Sequence, residues 1–389
     1  MLPLILGSNF QSAHSETAAT APAFDSKSGP WGRLRHYYFY LEAPDSVVDR
    51  VPLPDTQPRW RIPETELADF QEIVRRSSLP VEATDALFDP RQVIRNQGNA
   101  HLFPSHRLIE ALSDKDRQQI YERLASYHLN ALYEFPIFFL SGSIDEWAKG
   151  SGIRGEVVDT IRTLSYRRGN TLAFSDIPTL ISKATSDSEV QFIKKKLTRT
   201  RTLIARLELN SQTDIPAVLN YWSTGLNLRR KELEPLITTT AALPGIQFLD
   251  ILHLLPALPR KLLYTFPGDE FLTHSRLPDC HWTTLNFFNY SAQDYYLDTR
   301  LAASSILENF VPVKPPYRFG DVLMFVDDKD NAFHSCIYLA DDLVYSKNGS
   351  NPLVPWVLIE LKDLGQMYNL DLGQGVIHGF RHKSGRLSD

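Results

Sequence analysis

The amino-acid sequence predicts an α+β protein in which an α-rich N-terminal region precedes a smaller domain built from a helix and antiparallel strands. Apolar residues recur at helical spacing from Pro63 into the 230s. Pro256 and Pro259 then interrupt this spacing, and short apolar runs separated by polar turns follow them. These three observations predict a tail over 1–30, a mainly helical domain of unknown role over 31–255, and an α+β domain over 256–389.

The bulk composition excludes several classes of protein. With 389 residues, 43% of them apolar, the chain can bury a large core in two units or more. A formal net charge of -5 argues against nucleic acid as a partner. No apolar run approaches the roughly 18 residues of a spanning helix, so we expect a protein that is not integral to a membrane. The two cysteines, Cys280 and Cys336, exclude a disulfide scaffold.

The N-terminal tail leaves the compartment open. Residues 1–7 are apolar but lack a basic start and are short for a secretory signal, and a Ser, Ala and Thr-rich stretch follows. A truncated export signal and a disordered tail both fit this composition. The chain is therefore compatible with an exported setting, periplasmic or extracellular, and with a cytoplasmic one.

The helical region is predicted from local start signals and spacing. The aromatic run His36–Leu41 indicates one strand before it. Ser143 and Ser186 each precede a Glu by three residues, the capping box that begins a helix. The helix after Ser186 is expected to carry one apolar stripe as far as Leu207. Its run of lysines and arginines is interpreted as a solvated helix face rather than a polyanion-binding patch.

The C-terminal region contains the residues that suggest chemistry. A helix is predicted over Cys280–Tyr290, and strands over Asp321–Val326, Phe333–Leu339 and Leu343–Tyr345. A catalytic cysteine needs surroundings that favour the thiolate, and the first turn of a helix provides them. Alternation along the second strand puts His334 and Cys336 on one face. Cys336 could therefore lie in the core or form a disulfide with Cys280.

These parts together resemble the NlpC-type cell-wall cysteine peptidases, which have a papain-like fold. The matching residues are Asp279-Cys280, Gly320-Asp321-Val322, and His334 followed by Ile337-Tyr338-Leu339, in the order of that family. The resemblance covers roughly the last 130 residues. It implies a papain-like domain with Cys280 as nucleophile and His334 as base, hydrolysis of an amide bond in peptidoglycan stem peptides, and no metal or organic cofactor.

The third catalytic residue should lie on the strand that begins at Leu343. We expect Asn348, since a side-chain amide can accept a hydrogen bond from the imidazole, with Tyr345 and Ser346 as competitors. Asp279 is expected to border the substrate groove, and His281 to be a groove-wall or structural residue. Trp282 is expected to pack in the core or to border the groove. His281-Trp282 replaces the small Ser-Gly pair usual in the family, which puts the cell-wall substrate in doubt. His281 itself is not expected to reach the thiol, because adjacent side chains on a helix diverge.

Two alternatives to a hydrolase remain open from the sequence. One is an acyltransferase, which would use the same nucleophile and base. The other is a non-catalytic binding or scaffold protein whose papain-like groove has degenerated. A buried Cys280 beyond hydrogen-bond reach of His334 would favour the scaffold.

Overall fold

The computed structural model describes residues 24–25, 27–52, 55–140, 143–223, 229–245, 247–272 and 276–386, so most of the predicted N-terminal tail lies outside the described residues. Helices and several antiparallel sheets alternate along the chain, which confirms the predicted α+β class. The strands are β1 (Phe24–Asp25), β2 (Arg33–Leu41), β3 (Trp60–Pro63), β4 (Ile94–Asn96), β5 (Asn99–Leu102), β6 (Ile137–Phe139), β7 (Tyr166–Arg168), β8 (Thr171–Phe174), β9 (Thr200–Glu208), β10 (Phe248–Asp250), β11 (Phe310–Val313), β12 (Val322–Val326), β13 (Ala332–Ala340), β14 (Leu343–Lys347), β15 (Trp356–Glu360) and β16 (Val376–His382). The helices are α1 (Asp45–Val48), α2 (Leu67–Arg75), α3 (Val81–Leu87), α4 (His106–Ala111), α5 (Asp114–Ser126), α6 (Ala131–Glu134), α7 (Ile144–Ala148), α8 (Gly155–Leu164), α9 (Ile177–Ile181), α10 (Asp187–Leu197), α11 (Ile215–Trp222), α12 (Arg230–Ala242), α13 (Ala257–Leu262), α14 (Asp269–Leu272), α15 (Cys280–Leu285), α16 (Thr299–Asn309) and α17 (Leu361–Met367).

Residues 42–199, called here the helical unit, have a hydrophobic core of their own. That core runs from Trp60 to Ile193 and joins helices α2 to α10 to two three-stranded sheets, β3-β5-β4 and β6-β8-β7. The Ser143 and Ser186 hydroxyls accept from the N–H groups of Glu146 and Glu189, which confirms both predicted helix starts.

The rest of the described chain forms the sheet unit, which contains two larger sheets. The strand order is β11-β16-β12-β13-β14-β15 in a six-stranded sheet and β1-β2-β9-β10 in a four-stranded one. Their inner faces share a single core that extends from Leu34 through Leu255 to Leu358. The hydroxyl of Thr202 on β9 donates to the carbonyl oxygen of Leu358 on β15 at 2.8 Å, so the two sheets are also joined by a buried hydrogen bond.

The sheet unit crosses the predicted domain boundary at 255/256. Strand β2 pairs with β9 along its whole length, from Arg33 with Glu208 to Leu41 with Thr200. Segments 33–41 and 200–255 therefore pack with residues 256–389 rather than with the helical unit. The region 31–255 also holds nine strands among its described residues and is less helical than the sequence suggested.

The predicted long helix after Ser186 is wrong beyond Leu197. Helix α10 ends there, and Thr200–Glu208 forms β9, whose alternation buries Leu203, Ala205 and Leu207. The basic side chains around this junction are held by acceptors within the chain. Lys196 and Arg199 both bind the Glu42 carboxylate.

None of the helices in the described part of the chain combines the length and hydrophobicity needed to cross a bilayer. The helix that begins at Cys280 is shorter than predicted, because it ends at Leu285. Buried Asn286 stops it by donating to the Trp282 carbonyl at 3.0 Å and accepting from the N–H of Gln293 at 2.7 Å.

Candidate active site

An open groove of about 1280 Å³ runs between the helical unit and the sheet unit. The helical unit lines one wall with Leu132, Phe135, Ile137, Leu140, Ile181 and Leu197. The sheet unit lines the other with Cys280, Asn348, Leu353, Val354, Met367 and Tyr368. The groove is therefore built by both halves of the chain and includes the predicted nucleophile.

Cys280 begins helix α15 on the wall of this groove. The Asp279 carboxylate caps the helix by accepting from the Trp282 N–H at 2.8 Å. In the described part of the chain, neither the Cys280 N–H nor the His281 N–H has a hydrogen-bond partner. The thiol is 6% exposed and is not in a disulfide, and Cys336 is also a free, buried cysteine.

His334 lies near the start of β13 and is fully buried. Its ring stacks on Tyr368, with 4.3 Å between centroids and 24° between planes, and approaches the Phe325 ring at 5.2 Å. The Nε2 atom is 3.2 Å from the Ser346 hydroxyl, whereas Nδ1 has no hydrogen-bond partner among the described residues. The ring is thus held by one nitrogen, and its other nitrogen is available for a proton transfer.

Ser346, not Asn348, makes the direct contact with His334. Strands β13 and β14 form a hairpin in which Ile337 opposes Tyr345, and Ser346 follows on the face shared with Val344. The Ser346 hydroxyl in turn donates to Asn348 Oδ1 at 2.8 Å. Asn348, the residue favoured from sequence, therefore lies one hydrogen bond away from the imidazole.

Cys280 and its surroundings form one cluster of titratable groups. Burial raises the pKa of the Cys336 thiol, and negative charge at Cys280 raises it further. Burial likewise raises the pKa of Tyr368, with added contributions from Cys280 and Cys336. Helix α15, which begins at Cys280, packs against β13, the strand that holds His334 and Cys336.

Lys347 adds a buried amine to this cluster. Its Nζ donates to the carbonyl oxygens of Gly349 at 2.8 Å and Asn351 at 3.1 Å, and lies 5.6 Å from the centre of the Trp356 ring. Burial lowers the pKa of Lys347 to about 7, although negative charge at Cys280 and Asp279 acts in the opposite direction. Lys347 is thus the nearby cation for a thiolate at Cys280.

His281 lines the groove but is held by another partner. Its Nδ1 is 2.9 Å from the Ser335 hydroxyl, which is also 3.0 Å from the Thr284 hydroxyl. Burial lowers the pKa of His281, partly offset by the charge of Asp279. Both Asp279 and His281 line the groove.

Trp282 does not border the groove, so the groove placement is wrong and the packing placement that the sequence also allowed is the one observed. The side chain is fully buried, with its ring 5.4 Å from Phe271 and 6.3 Å from Trp356 between centroids. Residues one apart on a helix point in different directions, so His281 can face the groove while Trp282 packs in the core.

Sequence reasoning missed Tyr368, Lys347 and the wall from the helical unit. Lys347 ends the apolar strand that begins at Leu343, and a lysine at that position could have indicated a buried amine. Tyr368 directly follows α17, and no sequence motif marks it. Among the described residues, no three His, Cys, Asp or Glu side chains group as a metal site would require.

Comparisons of the chain with protein-family models, with curated proteins and with solved structures found no match. The site must therefore be interpreted from its own geometry.

Proposed function

We propose that this chain is a cysteine hydrolase with a papain-like arrangement, in which Cys280 is the nucleophile and His334 is the base. The observation that carries the proposal is the asymmetry of the His334 ring. Its Nε2 is fixed by Ser346, while its buried Nδ1 has no partner within the described residues. A buried nitrogen without a hydrogen-bond partner destabilises the folded state. A role of Nδ1 in proton transfer would account for a histidine at this position.

In the proposed mechanism His334 Nδ1 takes the thiol proton of Cys280, and the thiolate attacks the carbonyl carbon of an amide. The N–H groups of Cys280 and His281, which have no partner in the described chain, are placed to receive the oxyanion. The imidazolium then protonates the leaving amine. Water, activated by the neutral ring, releases the acid and restores the thiol.

Ser346 and Lys347 would support this chemistry without touching the substrate. Ser346 fixes the plane of the His334 ring and connects it to Asn348. Lys347, when protonated, contributes positive charge that stabilises the thiolate. The peptidoglycan stem peptide implied by the family resemblance is one amide substrate for such a site, and transfer to an acceptor other than water would use the same groups.

A second candidate, a non-catalytic binding protein, is favoured by one observation. Cys280 is nearly buried, and no hydrogen bond joins its sulfur to His334 in the described structure. Catalytic hydrogen bonds in ligand-free enzymes are often long and tighten only with substrate. The two candidates therefore differ in the reactivity of Cys280 rather than in its resting geometry.

The test is the rate at which iodoacetamide alkylates Cys280, followed by peptide mass spectrometry so that Cys336 is counted separately. The hydrolase proposal predicts alkylation of the folded chain at about pH 6.5, well below the usual thiol pKa of about 8.5. A His334→Gln variant should react about tenfold more slowly or less at that pH, because the thiolate loses its base.

His281→Gln is the matched control, since His281 adjoins Cys280 but is bonded to Ser335. Its alkylation rate should stay close to that of the unmodified chain. A Cys280 that reacts only after unfolding would overturn the hydrolase proposal in favour of the binding protein.

A further inference from the structure

The groove beside Cys280 is lined in part by large apolar side chains. Three large hydrophobic side chains on its walls are exposed to solvent: Phe135 by 64%, Leu372 by 51% and Phe333 by 37%. Exposed apolar side chains that cluster in a concave site mark the place where an apolar ligand is bound.

The two walls meet at one end of the groove. Asn170 of the helical unit donates to Asp371 at 2.7 Å, and Thr171 donates to Gln366 at 3.0 Å. Gly169 lies so close to Leu372 that an added Cβ would come within 3.1 Å of its side chain. These contacts hold the helical wall against the sheet unit, so the groove is a preformed feature of the fold.

The cations on the groove walls already have partners within the chain. Arg201 binds Asp363 at 3.1 Å, and Arg199 binds Glu42. A carboxylate-rich peptide would need cations that are open to it.

The other two cations on these walls are bound to the backbone. Lys194 Nζ donates to the Val48 carbonyl at 2.6 Å. Arg168 donates to the carbonyl oxygens of Tyr133 at 3.0 Å and Glu134 at 2.8 Å. The bonding of these four cations thus argues against an anionic occupant of the groove.

We propose that the groove holds the long hydrocarbon chain of an acyl substrate, with its carbonyl carbon at Cys280. The volume of about 1280 Å³ lies above the roughly 300–1000 Å³ of ordinary small-molecule sites, so the groove has room for an extended hydrocarbon chain. This inference rests on the proposed hydrolase function and names its substrate class. In this proposal the helical unit forms one wall of the groove that binds the hydrocarbon chain.

The chemical step for an ester balances with water as the only co-reactant. The Cys280 sulfur bonds to the carbonyl carbon, the bond from that carbon to the alcohol oxygen breaks, and His334 gives its proton to the alcohol. Water then adds to the thioester, the carbon–sulfur bond breaks, and the fatty acid leaves as the thiol is restored.

The length of the acyl chain of the substrate is the first experimental variable. The full chain is assayed with p-nitrophenyl acetate, butyrate, octanoate and dodecanoate below their aggregation limits, with Cys280→Ser as the blank. We expect kcat/KM to rise steeply with length, by up to about fourfold for each methylene that becomes buried.

Phe135→Asp tests the helical wall, and Phe103→Asp is its matched control. Phe103 is an exposed phenylalanine of the same unit, at 40%, and does not line the groove. Phe135→Asp should lower the ratio of kcat/KM for dodecanoate to kcat/KM for acetate by about tenfold or more, since charge in an apolar site is costly. Phe103→Asp should leave this ratio unchanged. Leu372→Asp repeats the test on the opposite wall.

Binding of cis-parinaric acid to the inactive Cys280→Ala chain provides a readout that needs no turnover. Binding that Phe135→Asp weakens and Phe103→Asp preserves would support the groove assignment. Such binding without Cys280-dependent hydrolysis would overturn the proposed function but not the hydrocarbon site. Cys280-dependent hydrolysis with no preference for longer chains, and no probe binding, would overturn the hydrocarbon site and leave the hydrolase standing.

Discussion

The helical unit and the sheet unit each bury a group of titratable side chains. Both groups contain buried atoms without a hydrogen bond among the described residues, Arg117 Nε and Asp176 Oδ2 in one and His334 Nδ1 in the other, but the two groups differ in their relation to the groove. In the helical unit Asp176 accepts from the Tyr121 hydroxyl at 2.6 Å and lies 3.3 Å from the Arg117 guanidinium. In the sheet unit His334 and Lys347 are equally buried, but one ring nitrogen of His334 has no partner among the described residues.

The difference separates a structural cluster from a candidate catalytic one. Arg117 and Asp176 are an ion pair enclosed by the core, with no part in the groove. His334 is covered by Tyr368, which itself lines the groove, and Cys280 lies nearby on the same wall. A buried charge alone is therefore not a sign of function. A buried titratable side chain that lies beside a groove and has an atom without a hydrogen-bond partner is a better sign of function.

The largest expected effect is on the stability of the helical unit. Arg117→Met should lower the free energy of unfolding by about 3–5 kcal/mol, because it leaves the Asp176 carboxylate buried without its cation. Urea denaturation measures this loss. The Arg117→Met, Asp176→Leu double variant should recover most of it, and the folded fraction should keep its Cys280 alkylation rate. A loss of that rate in the folded double variant would contradict the separation of the two clusters.

The second prediction concerns the pH dependence that Lys347 causes. Its folded pKa of about 7 lies below the roughly 10.4 of an exposed lysine, so between these values the unfolded chain binds more protons. The free energy of unfolding should therefore rise with pH in this window, by up to about 1.4 kcal/mol per pH unit, and the full penalty should be present below about pH 7.

Lys347→Met should remove this contribution, and urea denaturation between about pH 7 and 8.5 should show a flatter profile than the unmodified chain. The exposed Lys231→Met serves as control and should retain the slope. Equal slopes in the two variants would mean that Lys347 does not titrate in the folded chain over this range.

The smallest expected effects distinguish Ser346 from Asn348, the two residues on the Nε2 side of the His334 ring. Ser346→Ala removes the direct bond to Nε2 and should slow Cys280 alkylation at about pH 6.5 by about fivefold to tenfold, as expected for one hydrogen bond. Asn348→Ala acts only through Ser346 and should slow it by about twofold. A larger effect of Asn348→Ala would restore Asn348 as the residue that orients the base.

Short-range patterns in the sequence predicted the local elements around the site well. The strand beginning at Leu343, the strand containing His334 and the helix starting at Cys280 are all present. Each depends on neighbouring residues, namely alternation for the strands and a capping Asp279 for the helix.

The errors arose where distant residues decide the outcome. Helical spacing continued past Leu197, but pairing with β2 turns Thr200–Glu208 into a strand. Trp282 is in the core because Phe271 and Trp356 surround it, and neither is near it in sequence. Ser346 rather than Asn348 contacts His334 because of the hairpin register, which local sequence does not specify.

The pairing of β2 with β9 also has a topological consequence. Leu41 and Thr200 are direct partners in this ladder, so the helical unit leaves and re-enters the sheet at adjacent positions. Just beyond them, Ala43 N–H donates to the Thr198 hydroxyl at 2.8 Å. The helical unit is thus an insertion between two neighbouring strands, attached by a double-stranded stem. A short loop could replace it without breaking the ladder, and any rotation about that stem would change the width of the groove.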